Sequence, residues 1–189
     1  MHHKRKLSSF KPKLMLRKRL KQIIASNVSD HPSLLEDLSR EIENTIKILD
    51  SEHPIDRYTC FVYVFDFVED PAYVRIATYG SGRVFAGPEF VKFLLNNNYL
   101  SEIRPTEVGD NDIVIYFNGA EIKHAGKISV NGRVISKWGI GHLFEHSIFE
   151  VPEQYGNDIR YYKQLAKETA LDYFFKYAEQ EGMVFKYKE

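Results

Sequence analysis

The chain of 189 residues has one cysteine, no long apolar run, and no acidic residue among its first 21 positions. A single cysteine excludes an internal disulfide, so stability must come from packing, and the chain is compatible with a reducing compartment. No stretch approaches the ~20 consecutive apolar residues needed to span a bilayer. A secretory signal is not expected either. The basic start is followed by Leu14-Met15-Leu16 and then Arg17-Lys18-Arg19, short of the apolar region of about seven residues that such a signal requires. Cytoplasmic residence is the default expectation, with non-classical export left open.

The missing acids at the start are matched by nine bases, Lys4, Arg5, Lys6, Lys11, Lys13, Arg17, Lys18, Arg19 and Lys21. Formal net charge is zero over the whole chain, yet the remainder carries 17 basic against 26 acidic residues, a net of −9. Residues 1–29 therefore read as a basic arm and residues 30–189 as one acidic domain, long enough to bury a sizeable core. Within the arm Leu16, Leu20, Ile23 and Ile24 recur at helical spacing. Its charge suits contact with an anionic surface. A charge run of this kind is more often a solvated tail lying on an acidic body, which argues against nucleic acid as the partner.

Pro32, the Ser33/Glu36 spacing of a capping box, and the stripe Leu35, Leu38, Ile42, Ile46 and Leu49 predict one helix closed by Glu52-His53-Pro54. Asp56 is placed to cap the next helix, which carries Cys60 and is apolar on nearly every side through Phe61, Val62, Val64, Phe65, Phe67 and Val68. Asp70-Pro71 breaks it. Tyr79-Gly80-Ser81-Gly82-Arg83 is a glycine loop without the lysine-serine pair of a nucleotide loop. Residues 88–95 read as a helix with Asn96-Asn97-Asn98 as its exit. From Gly109 the period changes. Residues 113–117, 125–130, 134–136 and 148–151 are β-prone runs separated by Asn118-Gly119, Asn131-Gly132, and Gly139 with Gly141. Asn131-Gly132 predicts a hairpin joining the His124 strand to the Ser136 strand. A helix over about 162–180 closes the chain, with Gly182 as its stop. Helices followed by an antiparallel meander define α+β.

Cysteine needs only deprotonation to become a nucleophile, and a helix start with a neighbouring imidazole stabilises the thiolate. Cys60 and His124 come in that order. Taken singly, a free cysteine is more often buried packing and a histidine among apolar residues more often structural. His124 is spaced two residues from Ile122, and Ala125-Gly126 leaves room for close approach of another element. His142-Leu143-Phe144-Glu145-His146 matches the inverted zincin order His-x-x-Glu-His, with Glu150 or Glu153 as a further ligand. Gly139 and Gly141 before it and Pro152 after it oppose the helix such a site requires, so no metal or cofactor is assigned.

A cysteine at a helix start, then Gly109-Asp110-Asn111-Asp112-Ile113-Val114-Ile115-Tyr116, then His124-Ala125-Gly126 resembles the NlpC-type cysteine peptidases and amidases, over roughly residues 57–162. Ser136-Lys137-Trp138-Gly139, His146 and residues 151–156 are similar to uncharacterised bacterial members. The resemblance implies a papain-like core, with extra helices before it and one after. It implies that Cys60 attacks an amide or thioester carbonyl, that His124 is the base, and that the Cys60 N–H contributes to an oxyanion hole. The third position of the pattern, usually histidine, asparagine or glutamine, falls on Ser136, which can accept an imidazole N–H but carries no charge; His142, Glu145 and His146 are the alternatives. A peptide or other amide-containing substrate is implied, with Tyr58, Trp138, His142 and His146 lining its site. The competing expectation is a binding module that keeps the fold without turnover.

Overall fold

A computed structural model describes residues 4–79 and 84–183, with side chains from residue 13 onward; the glycine loop at 80–83 lies outside the described residues. The alternating residues after Gly109 build most of a seven-stranded antiparallel sheet in the order β1-β6-β5-β4-β3-β7-β2. Its strands are β1 Lys47–Leu49, β2 Glu102–Ile103, β3 Ile113–Asn118, β4 Glu121–Ile128, β5 Val134–Lys137, β6 Leu143–His146 and β7 Asp158–Tyr162. Helices α3 Cys60–Val64, α4 Pro71–Tyr79, α5 Pro88–Asn96 and α6 Lys167–Gln180 share one core with Ile113, Ile115, Phe117, Ile122 and Ala125. On the other face α1 Lys4–Ile24 and α2 His31–Glu41 share a second core with Val114, Tyr116, Ile128, Val134, Trp138 and Phe144. The chain is α+β, a sheet with helices on both faces. The double covering explains why Ile113 through Phe117 are all buried, since neither side of β3 meets water.

Several elements differ from the sequence reading, each for a local reason. The helix from Pro32 stops at Glu41, where Ile42 turns extended (φ −135°, ψ 121°). Asn44 then satisfies nearby backbone itself, its Nδ2 donating to Ile42 O and its Oδ1 accepting from the Ile46 amide. Such bonds offer the chain an alternative to helix. The Thr45 amide and hydroxyl both go to Glu150, and β1 follows, with Ile46 and Ile48 packed at a period of two. Ser33 Oγ donates to Asp30 O and Glu36 pairs with Arg40, so the capping box does not form.

The Cys60 helix ends at Val64, short of Asp70-Pro71, and Asp70-Pro71 starts a helix rather than breaking one. Asp70 Oδ1 accepts from the amides of Ala72 and Tyr73 at the head of α4, and Pro71 stands where no donor is needed. Residues 148–151 form no strand, because β6 lies earlier, at 143–146. Tyr162 ends β7, and the last helix begins at Lys167. The Asn131-Gly132 hairpin is as expected: Gly132 has φ +74°, and Ser129 O accepts its amide at 2.7 Å.

The helical half of the basic arm belongs to the body. Leu16, Leu20 and Ile23 are buried against the sheet, each stabilising the fold by about 1.5–3 kcal/mol on burial. Arg17 is buried beside them, and its guanidinium donates to Val151 O, Pro152 O, Gly156 O and Asn157 Oδ1. One side chain thus satisfies the carbonyls of the turn leading into β7. Among the described residues no helix is long and apolar enough to cross a membrane. Replacing Arg17 by Met is expected to lower unfolding stability by about 2–4 kcal/mol, because buried carbonyls lose their donors. Urea unfolding checks this, and a change under about 0.5 kcal/mol would remove the clamp from the account.

Candidate functional site around Cys60

Thr59 is extended (φ −104°, ψ 174°) and its hydroxyl accepts from the Val62 amide, which starts α3 at Cys60. Thr59 thus takes the capping role read for Asp56. Cys60 is the only cysteine and is buried, 9% exposed. Burial pushes its thiol pKa up to about 12, opposed by the backbone amides of Ala125, Phe61 and Cys60 itself and by the charge of Lys137. The groups acting on the sulfur are thus donors and a cation. That environment favours negative charge, although desolvation outweighs it in the resting chain.

Lys137 on β5 is fully buried. Its Nζ donates to Gly141 O and, at 3.4 Å, to Gly139 O, and lies 5.1 Å from the centroid of the Tyr58 ring. Burial lowers its pKa to about 8, with the Cys60 and Asp56 charges acting in the opposite direction. Tyr58 is held in turn by a 2.8 Å hydrogen bond between its hydroxyl and Ser51 Oγ. Tyr155, in the turn Glu153–Tyr155, also reaches this group: its phenol pKa is raised by burial and then by Cys60, and the Gly139 amide approaches its oxygen.

His124 lies nearby, but its side chain starts from the other face of the sheet. The β3–β4 register pairs Phe117 with Ile122 and Tyr116 with His124, so Lys123 is an extra residue in β4. A bulge of this kind reverses the alternation. Ile122 and Ala125 therefore face the Cys60 core, whereas His124 lies on the Tyr116 face, and the spacing of two does not put Ile122 and His124 together. The His124 ring stacks on Tyr155 (centroids 4.0 Å apart, planes at 10°) and lies 5.5 Å from the Tyr116 ring. Its Nε2 has no hydrogen-bond partner, and no hydrogen bond joins it to Cys60 among the described residues. Burial, with the His146 charge adding to it, holds its pKa well below the ordinary histidine range, so the imidazole is neutral.

Ser136 engages His146 and Trp138 rather than His124. Trp138 Nε1–H donates to Ser136 Oγ at 3.0 Å, and Ser136 Oγ lies 2.8 Å from His146 Nε2. His146 Nδ1 lies 2.9 Å from Ser147 O. A carbonyl can only accept, so Nδ1 carries the proton and Ser136 donates to Nε2. Trp138 stacks on Phe144 at 4.2 Å and is 1% exposed, a core position. His142 Nε2–H donates to Val28 O, tying the turn before β6 to the segment between α1 and α2. The His142–His146 segment is strand rather than helix. Glu145 pairs with Ile135, one position out of phase with His142 and His146, so the zincin order does not share a face.

The sequence reading did not single out Lys137 as part of the thiol's surroundings. For Lys137 the signal was present: it shares the strand face of Ile135, between buried Ser136 and Trp138, a place where a charge is costly. Residues 51–163 match a family described as Domain of unknown function (DUF7689), and the chain belongs to that family. The matched span includes Cys60, His124, Ser136, Lys137, His146 and Tyr155, and leaves out α1, α2, β1 and α6. No curated protein and no solved structure matches the chain.

His31 and His124 have lowered pKa values and that of His146 falls to about 4, in each case chiefly through burial. Folded-state pKa values below the unfolded value near 6.5 contribute stability that is present above pH ~6.5 and lost as pH falls through the folded pKa. Unfolding stability is therefore expected to fall between pH 6.5 and 4, with His146 alone contributing roughly 3 kcal/mol. The paired carboxylates Asp70 and Asp112, whose pKa values are lowered, titrate below that window. Urea titrations at pH 7, 5.5 and 4 check this, and constant stability over the range would contradict it.

Proposed function

We propose that the chain is a papain-like cysteine hydrolase or acyltransferase in which Cys60 attacks an amide or thioester carbonyl. The observation that carries this reading is the placing of the chain's one cysteine at the first residue of α3, behind the Thr59 cap, where the first amides of the helix have no partner within it. Donors arranged in this way suit a thiolate and the oxyanion that forms when a carbonyl is attacked. The Cys60, Gly-Asp strand and His-Ala-Gly order supports the same reading.

In this reading the nucleophile is stored as a thiol and formed during attack. The S–H bond breaks, its proton passes to neutral His124, and the sulfur electron pair bonds to the carbonyl carbon. The carbonyl π pair moves onto oxygen, where backbone amides receive it. Collapse restores the C=O bond and expels the amine or thiol, which takes the proton back from His124; water or another acceptor then releases the acyl group from sulfur by the same sequence. The side chains of His124 and Cys60 start from different faces of the sheet, with the His124 ring stacked on Tyr155, so this transfer requires their rearrangement when substrate binds.

A second reading, a binding module without turnover, is favoured by the same separation of His124 from Cys60 and by the protonated thiol. An activated ester separates the two. Incubation with p-nitrophenyl acetate, followed by intact-mass analysis, is expected to place one acetyl group on Cys60 of the folded chain. In His124→Gln the acetylation should slow by about 100-fold, the scale of general-base catalysis. No acetylation of Cys60, or equal rates in the folded parent, the variant and the urea-unfolded chain, would leave only the binding module.

A further inference from the structure

The bases of α1 fall into two groups. Arg17 is buried on carbonyls, Arg19 pairs with Glu41 and Lys21 with Glu153, so these three tie the helix to the body. Lys13 and Lys18 are exposed and form no ion pair with a carboxylate among the described residues. The apolar residues divide in the same way. Leu16, Leu20 and Ile23 are buried against the sheet, whereas Leu14 and Met15 are 45% and 59% exposed. At about 100° per residue, Leu14 lies roughly 160° round the helix from Leu16, on the side turned away from the sheet, and Lys18 shares that side. In the sequence Leu7 and Phe10 precede Leu14 by seven and four residues, the spacing of one helical stripe. Lys4, Arg5, Lys6 and Lys11 are interspersed with them, with no acid. An exposed apolar pair beside unpaired lysines has no use within the body, and α1 lies outside the span that matches the family, residues 51–163.

We propose that the outward side of α1 docks on an anionic lipid bilayer, with Leu14 and Met15 entering the interface and Lys13 and Lys18 meeting the lipid phosphates. Charge complementarity selects the partner. Nine bases and no acid stand in the first 21 residues, against a net of −9 over the rest. A chain charged in this way is turned by an anionic surface so that α1 approaches first and the acidic body is held off. The apolar pair decides between anionic partners. Nucleic acid engages lysines through their charge and leaves an exposed leucine and methionine without a role. A bilayer interface uses both, taking apolar side chains to the boundary of headgroups and acyl chains while the bases stay at the phosphates. Docking needs no unfolding, because the ties of Arg17, Arg19 and Lys21 hold α1 on the body with this side already outward. The surface is independent of the acyl-transfer reading.

Co-sedimentation of the full chain with lipid vesicles tests this. Vesicles of phosphatidylcholine mixed with phosphatidylglycerol should retain the chain at ~0.1 M salt and release it at ~0.5 M, because salt screens the attraction. Vesicles of phosphatidylcholine alone should not retain it. Lys13→Gln and Lys18→Gln should each lower the partition coefficient about fivefold. The double variant Leu14→Ser with Met15→Ser should lower it about tenfold through lost apolar insertion, with Tm unchanged because both side chains are exposed. In Leu14→Trp the added indole should shift its emission to shorter wavelength on the mixed vesicles and not on duplex DNA at equal phosphate, while Trp138 stays buried and constant. No retention on the mixed vesicles in low salt, retention unchanged by the double serine variant, or tighter binding to duplex DNA than to the vesicles would overturn the proposal.

Discussion

One extra residue, Lys123, decides which face of the sheet receives each chemical group. β4 is paired on one side with β3 for most of its length, so inserting a residue opposite the Tyr116–Phe117 step shifts every later side chain by one position. Ala125 comes to face α3 and His124 comes to face Tyr116 and Tyr155. Without the bulge His124 would point where Ile122 points, into the apolar core of the Phe cluster, where its polar nitrogens would have no use. With it, the imidazole is stacked on Tyr155 on one side of the sheet and the thiol lies on the other.

Two layers of helices make this arrangement stable. The α3–α6 layer shares one core with Cys60, in which Phe65, Phe67, Phe90 and Phe174 are in mutual ring contact, and burial there raises the thiol pKa. The α1–α2 layer covers His124, Trp138 and His146 and lowers the pKa of the two histidines. Burial therefore keeps both the thiol and the imidazole uncharged.

Features set by neighbours in sequence were readable. Cys60 at a helix start, the Asn131-Gly132 hairpin, the helix at Pro88 and the change of period after Gly109 each depend on a few adjacent residues. Features set by distant partners were not. β1 forms because Thr45 reaches Glu150, α1 is fixed because Arg17 reaches the carbonyls before β7, and the face of His124 depends on a bulge defined by pairing with β3. Lys137 was visible as a lysine in a strand, but its burial belongs to the fold. Ser136 had the right spacing for an imidazole partner and found His146, because β5 pairs with β6 and not with the end of β4 that carries His124.

The central claim is that the sulfur of Cys60 is held as a neutral thiol by burial, against donors that would favour its anion. Because the chain has a single cysteine, labelling cysteine with ¹³C at Cβ gives one resonance whose shift reports thiol or thiolate directly. The account predicts a thiol signal that does not titrate up to about pH 9, above the ordinary cysteine range, and that moves toward the unfolded value only when the fold is lost. A titration with its midpoint at or below the ordinary value near 8.5 would contradict it, by showing that the donors outweigh burial or that the sulfur is in contact with water.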